Sequence, residues 1–555
     1  MNRATKLLAL IVILIGATIG VARADVANSS GDNVQNGNNR STATQSGKSK
    51  SGDSVGGQVT GVVSSGRTSV DARNNSSNSD VTSGDARGGN TASSFTGLND
   101  VGPGGNTTIG ADITNSGADN LQDGNNTSTL NQTADYTTGD GVAGEVIGVV
   151  TAAGGSASIV AANTSTNDSV TTGDARGAND VAAFTGLNDS FGTTTVAADI
   201  VDSCGEFCAN AQDGNNRTTA TQISKAATGD GVAGQVIGAV AGGATSIDAT
   251  NRSDNVDVTT GDATADNGGA SLFTGLNDAD TTTVGGAAAS DITDSCSDCG
   301  NVQDGSNTQN VSQNANATTG DGVGGEVIGA VTSAGGSASI VAANSSTNSD
   351  ITTGDARSTN DFASFVGLND ADTTTVSAGD ITGSCSTGEC SNVQNGSNRL
   401  SGNQTATSAT GDGVGGQVLG VVSAGAASLD ATNRTDDSSV TTGESNANNS
   451  ASEFVGLNDA DTTTVGSAAD ITGAGADNLQ DGSNRKTLSQ NANSTSGDGV
   501  AGQVSGVVTS AGGSASVVLA NTSSGIDSES GASNFDNSDN GFVGQNDTFG
   551  TLTVV

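Results

Sequence analysis

The chain has 555 residues, of which 83 are Gly and 11 are Phe, with one Pro, one Tyr, no Trp and no His. So few large apolar side chains exclude a thick globular core, and the lack of His removes the commonest general base and metal ligand. A formal net charge of −41 argues against nucleic acid or an anionic membrane as partner.

Residues 1–24 read as a secretory signal peptide. Arg3 and Lys6 precede the apolar run LLALIVILIGATIGV, and Ala22-Arg23-Ala24 supplies small residues for cleavage. That run is shorter than the ~20 residues a spanning helix needs. The sequence therefore predicts an exported or cell-surface mature chain, residues 25–555, without a transmembrane segment.

The mature chain is written as six repeats, approximately 33–117, 118–208, 209–299, 300–390, 391–476 and 477–555. Each opens on a stretch that tolerates no insertion. A first Gln (Gln35, Gln122, Gln212, Gln303, Gln394, Gln480) is followed ten residues later by a second (Gln45, Gln132, Gln222, Gln313, Gln404, Gln490). An Asp closes the stretch eighteen residues after the first Gln, although the full repeat drifts between 86 and 91 residues. Fixed spacing inside a drifting repeat marks structural register.

In the fourth repeat the residues from Asn301 to Asp321 alternate so that Gln303, Asn307, Gln313 and Ala317 share one face, as in one long strand of period two or two strands joined by a bend at Gly305. Past the Gly320-Asp321 turn the same parity yields Val323, Gly325, Val327, Gly329 and Val331, a Val/Gly face suited to close approach of a second sheet. A third strand carries Ile159, Ala161, Asn163, Ser165 and Asn167 in the second repeat and leads to another Thr-Gly-Asp turn. The fourth block, Phe-x-Gly-Leu-Asn-Asp in most copies, places Phe95, Phe184, Phe273, Phe365, Phe454 and Phe542 at one recurring position, the expected core anchors. A longer period is overlaid: even repeats carry an Ala-Gly-Gly-Ser-Ala-Ser loop, and odd repeats carry Asp71, Asp248 and Asp430 instead. These features predict an all-β fold, a parallel β-solenoid with Gln columns running rung to rung; the alternative is a series of antiparallel β-meanders.

The opening stretch, Gln-x-Gly-x-Asn…Gln with small residues between, resembles the curlin repeat of bacterial amyloid fibre subunits. That resemblance implies inward Gln and Asn side chains forming amide ladders. It covers about a fifth of each repeat. Here the Asn follows its Gln one residue sooner, the two Gln are one residue closer, and the period is about four times longer.

The six Cys fall as Cys204/Cys208, Cys296/Cys299 and Cys385/Cys390 in the linkers before the opening stretch. Their drifting spacing and the absence of His favour local disulfides over a metal centre. Asn277, Asp278 and Asp280 are weak Ca²⁺ candidates, set against their ordinary use as turn residues; no other cofactor is indicated. Thr281 to Thr283 and their counterparts form arrays suited to an exposed strand or to ordering water. No pair of catalytic groups stands out, so the chain is expected to be a non-enzymatic structural protein of a prokaryotic surface or matrix. Its expected partners are further copies or other matrix components. An adhesin or a cation- or ice-binding solenoid is the alternative.

Overall fold

The structure is a computed structural model. It describes residues 33–554 except 36–37, 65–67, 101–119, 123–124, 152–155, 190–193, 196–199, 202–207, 213, 279–280, 284–291, 294–298, 304, 334–335, 371–372, 376–380, 383–390, 395–396, 460–461, 466–470, 473–476, 481–482, 511–513 and 548–550. The segment assigned to a signal peptide lies outside the described residues, which contain strands and no helix.

One repeat makes one rung. In the second repeat the strands are Asn120–Gln122, Asn126–Thr137 (the glutamine strand), Gly141–Val142, Glu145–Thr151 (the valine strand), Ser156–Thr166 (the isoleucine strand), Ser169–Thr171, Ala175–Asp189 (the phenylalanine strand), Thr194–Thr195 and Ile200–Val201. Each pairs in parallel with its counterpart one repeat away, so that Gln132 lies beside Gln222, Asn163 beside Asn251 and Phe184 beside Phe273. All pairings among the described residues are parallel, which rules out the meander and gives a parallel β-solenoid.

Each rung runs out along one layer and returns along the other. The glutamine strand packs on the phenylalanine strand, and the valine strand on the isoleucine strand, so the rung is a long two-layered arch. Burial follows the period of two read from the sequence. Val327, Gly329 and Val331 face inward, and a Cβ on Gly329 would stand 3.2 Å from Ile340 Cγ2. Glycine here lets the two layers close on a branched residue. The core is accordingly thin and divided: Val, Ile, Ala and Leu429 fill one arm, while Leu, Val, Ala and Phe362 fill the other.

Two details depart from simple alternation. Inward parity holds from Asn307 to Thr319 but breaks at the corner, where Asp321 is exposed. Asn167 is not a strand residue but a left-handed corner at φ 52°, matched by Asn78, Asn255, Asn348 and Asp437 and by Gly525 in the sixth rung. Asn, Asp and Gly tolerate that conformation at least cost, which explains the column's composition.

The Ser/Thr-Gly-Asp corners are rung-to-rung joints. Gly229 N–H donates to Thr138 Oγ1 at 2.9 Å, and Asp230 N–H donates to Asp140 Oδ1 at 3.1 Å. The same pair of bonds recurs at Gly320/Asp321 and Gly411/Asp412. A Cβ on Gly229 would lie 2.4 Å from the Gly139 carbonyl oxygen, so the corner requires glycine for backbone contact between rungs.

Candidate assembly surface

The second Gln of every repeat stands in one column inside the glutamine arm. Gln132 Nε2 donates to Gln45 Oε1 at 2.8 Å, Gln222 to Gln132 at 3.0 Å, Gln313 to Gln222 at 2.8 Å, Gln404 to Gln313 at 2.9 Å and Gln490 to Gln404 at 2.8 Å. Most members also donate to a carbonyl of the facing phenylalanine strand, as Gln132 does to Asp180 O and Gln404 to Ser450 O at 2.7 Å. A primary amide has two N–H donors, so one bonds along the stack and the other ties the two layers together. The first Gln of each repeat is also in backbone register, Gln35 beside Gln122 and Gln212 beside Gln303, with its side chain outside the described residues.

Three Asn columns accompany the Gln column, running through Asn126, Asn163 and Asn179. Each step is an amide-to-amide bond of 2.8 to 3.0 Å where it is buried. The Asn126 column has a second task. Gly97, Gly186, Gly275, Gly367 and Gly456 of the Phe-x-Gly turn sit at φ between 66° and 71°, with the Asn amide occupying the place a Cβ would take. Beside that turn the six Phe stack face to face, with centroids 4.7 to 5.2 Å apart. Elsewhere large residues are balanced by small ones: Phe362 fills space left by Gly402, and Tyr136 fills space left by Gly88 and Gly177.

The ends of the stack differ from its middle. Val517, Leu519 and Phe535 of the sixth rung occupy inward columns whose fifth-rung members, Leu429, Ala431 and Ala447, are at most 1% exposed. At the end they are 46%, 45% and 69% exposed. In the first rung the same columns hold Val70, Ala72 and Gly88. The Gln ladder is polar, and the Asn columns through Asn126, Asn163 and Asn179 run the opposite way, each Asn donating to the later rung. Each internal Gln joint runs from the Gln Nε2 of the later rung to the Gln Oε1 of the earlier, so the sixth rung retains an acceptor at Gln490 and the first a donor at Gln45. Charge is asymmetric too. Residues 33–117 hold six Lys/Arg against six Asp/Glu, whereas residues 477–555 hold two against eight.

The other sequence candidates are only partly described. Cys208 and Cys299 are backbone neighbours on adjacent rungs, with their side chains outside the described residues, and Cys204, Cys296, Cys385 and Cys390 lie wholly outside. Asn277 and Asp278 end a phenylalanine strand beside Asn369 and Asp370, and Asp280 is outside. No cluster of three or more His, Cys, Asp or Glu arranged to hold a metal occurs among the described residues. Thr281–Thr283, Thr373–Thr375 and Thr462–Thr464 stack in backbone register. Burial raises the carboxyl of Asp230; the Asp321 backbone N–H that it accepts from opposes this, and the charges of Asp321 and Asp140 add to it. No protein-family model, curated protein or solved structure matches the chain.

Proposed function

We propose that the chain is an exported, non-enzymatic structural protein of a prokaryotic surface or matrix. It acts as a stacking unit whose partner is a second copy, the sixth rung of one set on the first rung of the next. The observation that carries this reading is the exposed inner face of the sixth rung, where Leu519 and Phe535 stand over columns that the first rung fills with Ala72 and Gly88. Large side chains at one end meet small ones at the other, as they do at the internal Phe362/Gly402 contact. Head-to-tail stacking also preserves the alternation of odd and even repeats, completes the Gln column, and sets the most basic repeat against an acidic one. Head-to-head or tail-to-tail contacts do none of these.

Negative-stain microscopy of the purified mature chain tests it. Wild type is expected to form filaments, and Phe535→Asp to remain as single particles with unchanged β content. Wild-type particles that stay single at every concentration would remove the proposal. The in-register Thr columns favour a second reading, an ice- or surface-binding face. A thermal-hysteresis assay reads that directly.

A further inference from the structure

Three charged side chains meet where the repeat pattern breaks. Lys486 lies in the sixth glutamine strand, in an inward column whose other members are Ser41, Ser128, Thr218, Gln309 and Leu400. Glu453, in the fifth phenylalanine strand, replaces Ser94, Ala183, Leu272 and Ser364. Asp539, in the sixth, follows Ala92, Val181, Ala270, Phe362 and Ala451. No charge stands at these columns in the first four rungs. Lys486 Nζ lies 2.5 Å from Glu453 Oε2 and also contacts Asp539 Oδ1. The Glu453 side chain is fully buried, that of Lys486 is 12% exposed, and that of Asp539 is 45% exposed. A Cβ on Gly541, the sixth-rung member of the Glu453 column, would fall 2.1 Å from Lys486 Nζ, so the glycine keeps the space in which the three groups meet. Glu453 Oε1 is buried with no hydrogen-bond partner.

The geometry points to an intramolecular amide between Lys486 Nζ and the Asp539 side-chain carboxyl, with Glu453 moving the protons. An ammonium beside two carboxylates, one of them fully buried, would leave an ion pair where water cannot stabilise it, and proton transfer within the cluster relieves that cost. Glu453 takes a proton from Lys486 and passes it to the Asp539 carboxyl. The neutral amine attacks the carbonyl carbon of Asp539, the tetrahedral adduct loses hydroxide with a second proton relayed through Glu453, and water leaves. An ammonium and a carboxylate thus become an amide and one water, with no oxidant or activating group, and Glu453 ends as it began. Burial, partly offset by Lys486, raises the Glu453 pKa to about 7, which suits a group that both accepts and returns a proton near neutrality. The bond would join the two layers of the sixth rung, where end exposure leaves packing weakest. It depends on the fold and not on whether copies stack.

Intact mass of the full mature chain, with cysteines reduced and blocked, tests the inference. Wild type is expected to weigh less than its sequence by one water, and digestion should yield a branched peptide joining Lys486 to Asp539. Lys486→Arg and Asp539→Ala should show the full sequence mass. Asp539→Asn should lose ammonia instead of water, read on the branched peptide because a succinimide loses the same mass, and Glu453→Gln should block the loss. Wild type at full sequence mass overturns the proposal. A branched peptide through Glu453 instead of Asp539, or coupling that persists in Glu453→Gln, overturns the assignment of roles.

Discussion

Replacing Gln313 by Leu tests whether the Gln column is the spine of the stack. Gln313 is 1% exposed; its Nε2 donates to Gln222 Oε1 at 2.8 Å and to Asp361 O at 2.7 Å, and its Oε1 accepts from Gln404 Nε2 at 2.9 Å. Leu fills a similar volume but makes none of these bonds. It removes the partner of a Gln222 acceptor, of a Gln404 donor and of the Asp361 and Asn267 carbonyls inside the arm. Each buried unpaired group costs about 1–3 kcal/mol, and the added apolar surface returns part of it, so a net loss of about 2–5 kcal/mol is expected. The terminal Gln490 donates to Gln404 and Ser538 but accepts from no later rung, and it borders solvent. Gln490→Leu should therefore cost about 1 kcal/mol. Guanidinium unfolding followed by far-UV circular dichroism measures both. Equal midpoint shifts for the two variants would refute a ladder whose strength depends on position in the stack.

Three further outcomes follow from other contacts. Gly275→Ala places a Cβ 1.9 Å from Asn307 at φ 70°, whereas a Cβ on Gly52 meets nothing within 4 Å. The first should lower the melting temperature sharply, by more than about 2 kcal/mol in stability, and the second should leave that of single, unstacked chains unchanged. Phe273→Ala, which removes a buried ring stacked at 4.8 and 4.7 Å on its neighbours, should cost about 3–5 kcal/mol by the same unfolding assay. The carboxyls of Asp180, Asp230, Asp257, Asp266 and Asp361 are raised mainly by burial, and that of Glu453 from 4.5 to about 7. Raised carboxyls bind protons more tightly when folded, so their stabilising effect is complete below the ordinary carboxylate range and is lost as pH rises through the raised values. Melting temperature should therefore fall between pH 4.5 and about 7, and Glu453→Gln should flatten the curve. A melting temperature that rises across that window would contradict the burial of these groups.

Register was legible in the sequence because stacking in parallel forbids insertions between paired residues. The ten residues from Gln35 to Gln45 and from Gln480 to Gln490 are kept for that reason, whereas the third phenylalanine strand takes up an extra residue between Asn267 and Ala270 as a bulge. The size of a rung was not legible. Thr-Gly-Asp occurs twice per repeat, and only the facing of the two corners, with Thr353 Oγ1 donating to Gly411 O, makes them two halves of one bend and not two rungs. The Asn columns were hidden by abundance, since Asn also serves turns, and Asn163 inside a strand looks the same in sequence as Asn167 at a corner. Lys486, Glu453 and Asp539 were hidden for the opposite reason. Periodicity draws attention to what recurs, and these three are departures from it, brought together across separations of 33 and 53 residues.

The arch form of the rung sets the proportions of the molecule. The glutamine and valine strands have 12 and 7 residues, so one layer extends about 60 Å at ~3.3 Å per residue. Six rungs at a spacing of ~4.8 Å rise only about 29 Å. The six rungs thus form a slab, broader than it is tall. A fibre of such slabs would spend about ninety residues on each 4.8 Å of growth. Its mass per unit length, measured by scanning transmission microscopy, would be several times that of a fibre whose rungs are single short hairpins, and its flat sides would offer wide, regularly ruled faces to whatever lies alongside.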